Sequence, residues 1–131
     1  MRGWLAKLLG NKGERAAARY LRSLGYKILS RQYANRWGEL DLIAIDGDAL
    51  VFVEVKTRRS RAAGHPVEAV TRDKQRRMTQ QALAWLKRRK LLDHRARFDV
   101  IAIVWPDGQK KPEITHYRNA FEPVGDGQFY S

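Results

Sequence analysis

Residues 38–58 read GELDLIAIDGDALVFVEVKTR: two apolar runs meet at Gly47-Asp48, and acids and a lysine sit at the ends farthest from that step. Val, Ile and Phe at this density suit a pleated strand, and Gly-Asp is turn chemistry. The spacing therefore predicts strands over 38–46 and 49–56 joined as a hairpin. Alternation puts Glu39, Asp41, Ile43 and Ile45 on one face of the first strand, and Leu50, Phe52, Glu54 and Lys56 on one face of the second. The remaining positions, Leu40, Leu42 and Ala44 with Val51, Val53 and Val55, are apolar too, so both faces are expected to be buried near the turn. Charges in such a run need a reason, because isolated buried charge is costly.

The turn decides whether those charges meet. With Gly47-Asp48 as a two-residue loop, Asp46 pairs with Ala49, Asp41 opposes Glu54 and Glu39 opposes Lys56. With Asp46-Gly47 as the loop, Glu39 faces Glu54 and Asp41 lies diagonal to it. Both registers keep the four on one face, whereas a one-residue slip would separate them. Opposed carboxylates with Cβ atoms about 4.5–5.5 Å apart repel unless something offsets them. A divalent cation does so, and oxygen ligands without His or Cys point to a hard ion, Mg²⁺ with Mn²⁺ as a substitute. Asp41 and Glu54 are then the metal ligands. Lys56 is placed to orient the attacking water and to stabilise charge on a phosphorane-like transition state. The competing reading is a structural ion pair at a sheet edge, and Leu50 and Phe52 on the same face argue against the solvated surface it requires.

Upstream, GERAAARYLRSL at 13–24 places Ala17, Ala18, Leu21 and Leu24 at helical spacing, with Gly25 to stop the helix. Glu14 falls on that core-facing stripe. It therefore either joins the metal site or its waters, or serves as a first-turn acid complementing the helix N-terminus. YKILSRQY at 26–33 reads as a further strand, as do FDVIAIVW at 98–105 and EITHYRNAF at 113–121. Between them, a helix beginning near Thr71 carries Val70, Met78, Ala82, Leu83, Trp85 and Leu86. The last ten residues have turn composition and are expected to be weakly ordered. The order α-β-β-β-α-β-β implies an α/β fold, a mixed sheet covered by helices.

The 131 residues suit one domain, with a core at about 11–121. No cysteine is present, which excludes disulfides, thiolate zinc sites and cysteine nucleophiles. The three histidines, His65, His94 and His116, lack metal-ligand spacing. Lys7 interrupts the apolar N-terminus before it could act as a signal-peptide core, and no membrane span follows, so a soluble cytoplasmic protein is expected. The net charge of +12 is concentrated: residues 58–97 hold 13 basic and 3 acidic side chains, against 13 and 11 elsewhere. Such a segment fits a polyanion, nucleic acid above an anionic membrane, because no apolar anchor accompanies it. Arg58, Arg59, Arg61, Arg72, Arg76 and Arg77 are the candidate phosphate-backbone contacts.

GER at 13–15, GELDLIAID at 38–46, LVFVEVKTR at 50–58, PVEAVTRDKQRRM at 66–78, FDVIAI at 98–103 and NAF at 119–121 together resemble the YraN-like family of small predicted nucleases. That family is a branch of the PD-(D/E)xK restriction-endonuclease-like superfamily. The resemblance implies a mixed β-sheet flanked by helices, with the site at the open end of a hairpin. It matches Asp41 to the first acidic ligand, Glu54 to the second and Lys56 to the lysine. Glu14 takes the place of a helix-1 glutamate seen in the similar archaeal Holliday-junction resolvases, with Arg15 beside it as a further nucleic-acid contact. Lys74 matches a basic position near the site, either a phosphate contact or a plain exposed lysine, and Glu39 supports the acidic set. Leu40 stands where the superfamily has its naming proline.

The sequence thus implies a Mg²⁺-dependent nuclease hydrolysing DNA phosphodiesters, including structured or branched DNA. One alternative is a non-catalytic nucleic-acid-binding module; another is an RNA nuclease using the same site, with DNA favoured over RNA. A two-fold homodimer is compatible with such a nuclease.

Overall fold

The hairpin adopts the first of the two registers: Asp46 pairs with Ala49, Ile45 with Leu50, and so on to Leu42 with Val53. Gly47 in the turn has φ 61, a left-handed conformation that glycine reaches without steric cost. The computed structural model describes residues 2–60, 62 and 64–125. Its strands are β1 (Lys27–Asn35), β2 (Gly38–Asp46), β3 (Ala49–Arg58), β4 (Ala96–Val104) and β5 (Glu113–Phe121), in spatial order β1-β2-β3-β4-β5. Among the described residues only β3 and β4 run parallel. A parallel pair requires a crossover, which helix α2 (Arg72–Arg88) supplies. With α1 (Arg2–Ser23) in front, the order is α-β-β-β-α-β-β, as the sequence predicts. A one-turn 3₁₀ helix, Pro66–Ala69, precedes α2 and was not anticipated.

Each helix covers one face of the sheet. Ala17, Ala18 and Leu21 of α1 pack with Leu42, Ala44, Val51, Val53, Ile101 and Ile103. These small helix residues allow a close approach, and Gly13 takes it to the limit: a Cβ there would lie 1.9 Å from Thr57 Oγ1. On the other face, Met78, Ala82, Trp85 and Leu86 of α2 pack with Ile43, Leu50, Phe52, Phe98 and Val100. Thr71 caps α2, its hydroxyl accepting from the Lys74 N–H at 3.2 Å.

Several expectations need correction. Helix α1 begins at Arg2, well before Gly13, so Glu14 is mid-helix and the first-turn reading of it fails. Leu24 lies past the helix end and is exposed, because the chain turns there through Gly25 at φ 91. In α2, Leu83 is only partly buried, whereas Thr79 and Gln81 are buried. Leu40 belongs to the α2-side core and Leu42 to the α1 side, so β2 does not alternate regularly across Asp41.

The ladder between β2 and β3 also ends at Leu42 and Val53. Beyond that point β2 stays with β1 as far as Gly38, and β3 stays with β4 as far as Arg58. The sheet forks, and neither Glu39 with Lys56 nor Asp41 with Glu54 is a ladder pair. Among the described residues no helix is long and apolar enough to cross a membrane. Residues 126–131, most of the expected weakly ordered tail, lie outside the described residues.

Candidate active site

Asp41 sits at the apex of the fork and is the reason the ladder stops. Its Oδ2 accepts the Val55 N–H at 2.8 Å, taking the donor that a backbone carbonyl would otherwise use. The Glu54 carboxyl lies beside it in the same cleft, and its charge acts on Asp41. Glu54, only 3% exposed, comes from the α2 face of β3, and its Oε2 meets Lys56 Nζ at 3.4 Å. Lys74, in the first turn of α2, forms a second ion pair with that oxygen. It is therefore not a plain exposed lysine.

Burial pushes the Asp41 carboxyl up to about 8, and the Glu54 charge adds to the rise while the Val55 N–H opposes it. Two carboxyls lining one cleft, one of them kept protonated, form a pair that a divalent cation would deprotonate. Burial alone would lower the Lys74 ammonium, but Glu54 outweighs it and holds the group above its usual range.

Glu14 approaches from the α1 side, where the contact at Gly13 carries it to the sheet. Gln32 Nε2 donates to its Oε2 at 3.3 Å and to Asn11 Oδ1 at 3.1 Å, while Oε1 is buried without a hydrogen-bond partner. Burial raises the Glu14 carboxyl, against the pull of Gln32 and Arg31. Gln32 holds φ at 52, a conformation uncommon for a residue with a Cβ. A cavity of about 320 Å³ on this side includes Glu14, Gln32, Glu39 and Asp41. Another of about 310 Å³ on the α2 side includes Trp37, Glu39, Asp41, Glu54, Lys74 and Arg77. Asp41 and Glu39 thus line both openings of the fork.

Among the described residues no three acids or histidines form a group able to hold an ion by themselves. The donor set fits a hard cation such as Mg²⁺, which is held by one or two carboxylates and completes its shell from water and phosphate. The partnerless Glu14 oxygen fits the same need for an outer partner.

The arginines are less concentrated. Arg77 lines the α2-side cavity, and Arg72 is exposed at the start of α2. Arg58 donates to the Gly64 carbonyl at 3.2 Å, Arg59 lies 3.6 Å from Asp107 and Arg76 lies 3.2 Å from Asp73. Arg15 lines a separate cleft with Asn11, Glu14, Arg31 and Gln32. Arg61 lies outside the described residues.

Two residues at the site went unpredicted. Gln32 shows no signal in strand periodicity. Trp37, at the tip of the β1–β2 hairpin with the Arg36 guanidinium 4.7 Å from its ring centre, falls between strands where no pattern applies.

A forked mixed sheet between two helices, with acids at the open end of its central hairpin, is the restriction-endonuclease-like fold. The chain belongs to the UPF0102 or YraN family: the model of the uncharacterised protein family UPF0102 matches residues 13–103. It is 53% identical over 118 residues to a UPF0102 protein of Geobacter sulfurreducens, covering 88% of this chain and 90% of that one. A UPF0102 protein of Rhodococcus opacus is 51% identical over 113 residues, 86% of this chain and 95% of its own. One of Rhodopirellula baltica is 45% identical over 125 residues, 93% and 75% respectively.

Proposed function

We propose that the protein is a Mg²⁺-dependent nuclease that hydrolyses phosphodiester bonds of DNA, with structured or branched DNA as its substrate. The observation that carries this reading is the Asp41 and Glu54 carboxyls lining one cleft at the fork, with Lys56 and Lys74 on the same Glu54 oxygen. A buried like-charge pair is destabilising in a merely structural strand, and strongly perturbed carboxyls in a cleft are candidates for chemistry.

Asp41 and Glu54 are the residues that would hold Mg²⁺ or Mn²⁺, which supplies Lewis-acid polarisation of a phosphoryl oxygen and acidifies a water. Lys56 donates hydrogen bonds to the attacking water and to the phosphoryl oxygens on which charge develops. Lys74, now paired with Glu54, would offer its ammonium to a neighbouring phosphate oxygen. Glu14, through its unused oxygen, and Glu39 orient water in the fork. Arg77, Arg72 and Arg58 give backbone affinity without sequence reading.

A second reading, a nucleic-acid-binding module without turnover, draws on one observation: two lysines already neutralise Glu54. Purified protein incubated with linear, flapped and four-way DNA and with matched RNA, in Mg²⁺ or Mn²⁺, separates the readings. Cleavage is expected on DNA, lost in Glu54→Ala and Lys56→Ala. Salt-sensitive binding with no cleavage under any of these conditions would favour the module.

A further inference from the structure

The α2 face of the sheet does not end at Glu54. The registers carry three rows across β3, β4 and β5: Glu54 beside Val100 and Tyr117, Lys56 beside Ala102 and Thr115, Arg58 beside Val104 and Glu113. Helix α2 covers the first row and stops short of the other two. These rows form the floor of a groove of about 280 Å³, walled by Ser60, His65 and Pro66. The groove shares Lys56 with the carboxylate site. Its far wall, at Tyr117, lies two strand spacings of about 4.8 Å from Glu54, roughly 10 Å.

The chemistry of the groove is that of a base site. Ala102 and Val104 make a flat apolar floor, and His65 meets the Tyr117 ring edge-on at 4.9 Å and 62°. The His65 Nδ1 accepts the Val67 N–H at 3.3 Å, which fixes the imidazole orientation. Hydroxyls of Ser60 and Thr115 stand around this apolar floor, where they can pair with the polar edge of a heterocycle. Lys56 and Arg58 bring positive charge to the side nearest the carboxylates, where the backbone phosphate of the same nucleotide would lie. At about 280 Å³ the groove has room for one planar base.

Resting on the nuclease reading above, we propose that this groove binds an unstacked nucleobase of the strand being cut, next to the scissile phosphate. The substrate class is therefore nucleic acid with an unpaired nucleotide at that position, such as a flap, a gap or a junction branch. A fully paired duplex must extrude a base to comply, which costs unstacking energy; a single-stranded position brings its base ready to stack on an aromatic wall.

The test uses oligonucleotides carrying one 2-aminopurine either in the unpaired nucleotide of a flap or at the same place in a full duplex. Emission is read in EDTA, where no cleavage occurs, and cleavage is then read in Mn²⁺. The proposal expects at least a twofold emission change for the unpaired probe alone, and cleavage of the flap at least tenfold faster than of the duplex. Thr115→Trp, on an exposed position that fills the groove, should abolish the emission change and bring the two cleavage rates within twofold. Leu92→Trp, at an exposed position outside the groove, should retain both effects, and circular dichroism confirms that each variant is folded. An emission change and flap preference that survive in folded Thr115→Trp would overturn the subsite. The probe response without cleavage in any metal would sink the nuclease reading and leave the subsite standing; Glu54-dependent cleavage without the response would do the reverse.

Discussion

Asp41 and Asp99 are both carboxylates set into the same sheet, and their surroundings push them in opposite directions. Asp99 is 0% exposed, yet each of its oxygens is used: Arg97 Nε and the Asn119 N–H donate at 3.0 and 2.9 Å, and His116 Nε2 at 2.7 Å. Arg97 continues to Asp46 at 3.0 Å and to the Tyr26 hydroxyl at 2.9 Å. His116 Nδ1 lies 3.3 Å from the Tyr20 hydroxyl. Burial would raise the Asp99 carboxyl, but the His116 and Arg97 hydrogen bonds override it and hold it below its usual range. Asp41 has one backbone donor and a second acid as its neighbour, and it is pushed up. Burial alone therefore does not mark a functional acid; burial without enough donors does.

The largest expected difference is in cleavage. Glu54→Gln should lower the rate on flapped DNA by about 10³-fold, the scale of losing a principal electrostatic group. It should change unfolding by urea only modestly, because relief of the Asp41–Glu54 repulsion offsets the loss of the Lys56 and Lys74 ion pairs, whose ammonium groups keep access to water. Asp99→Ala should do the opposite. It strands Arg97 and His116 and should cost about 3 kcal/mol of stability in the same urea titration, with cleavage per folded molecule retained. Gly13→Ala comes next, at about 2 kcal/mol, because the methyl would overlap Thr57; its thermal midpoint should fall, and Glu14 should shift away from the fork.

The two acids also predict opposite pH dependence. In the folded protein Asp41 keeps a proton up to about 8 that the unfolded chain releases near 3.8. In metal-free buffer its contribution therefore makes stability fall as pH rises from 4 to 8, and Asp41→Asn should flatten that part of the curve. Asp99 has a folded value below 3.8. Its contribution is complete above that pH and is lost as pH drops through the folded value, a loss that Asp99→Asn should remove. The smallest effect belongs to the exposed pairs: Arg59→Ala and Arg76→Ala should change stability by no more than about 0.5 kcal/mol, while DNA binding becomes weaker and less salt-dependent.

The sequence made the frame of this comparison legible unevenly. The bounds of β2 and β5, a tight turn at Gly47 and a helix start near Thr71 follow from local chemistry that tertiary context leaves alone. Asp41, Glu54 and Lys56 could be brought together on paper because register alone links them. The fork could not be foreseen, since alternation assumes a continuous ladder and Asp41 itself breaks it by taking the Val55 N–H. The first turns of α1 escaped notice because Trp4, Leu5 and Leu8 are exposed and so show no core-facing period. The Asp99 network joins residues from the β2–β3 hairpin, β4, β5 and both ends of the α1–β1 turn, a convergence that no local pattern encodes. Lys74 was visible as a basic position, but its ion pair with Glu54 depends on where α2 lies across the sheet.

The most direct measurement is cleavage of flapped DNA in Mn²⁺ by Asp41→Asn and Asp99→Asn side by side, each rate divided by the folded fraction from circular dichroism. If the fork is the metal site, Asp41→Asn will be inactive and as stable as wild type or more so, while Asp99→Asn will cut at the wild-type rate per folded molecule. Wild-type cleavage by Asp41→Asn would contradict it.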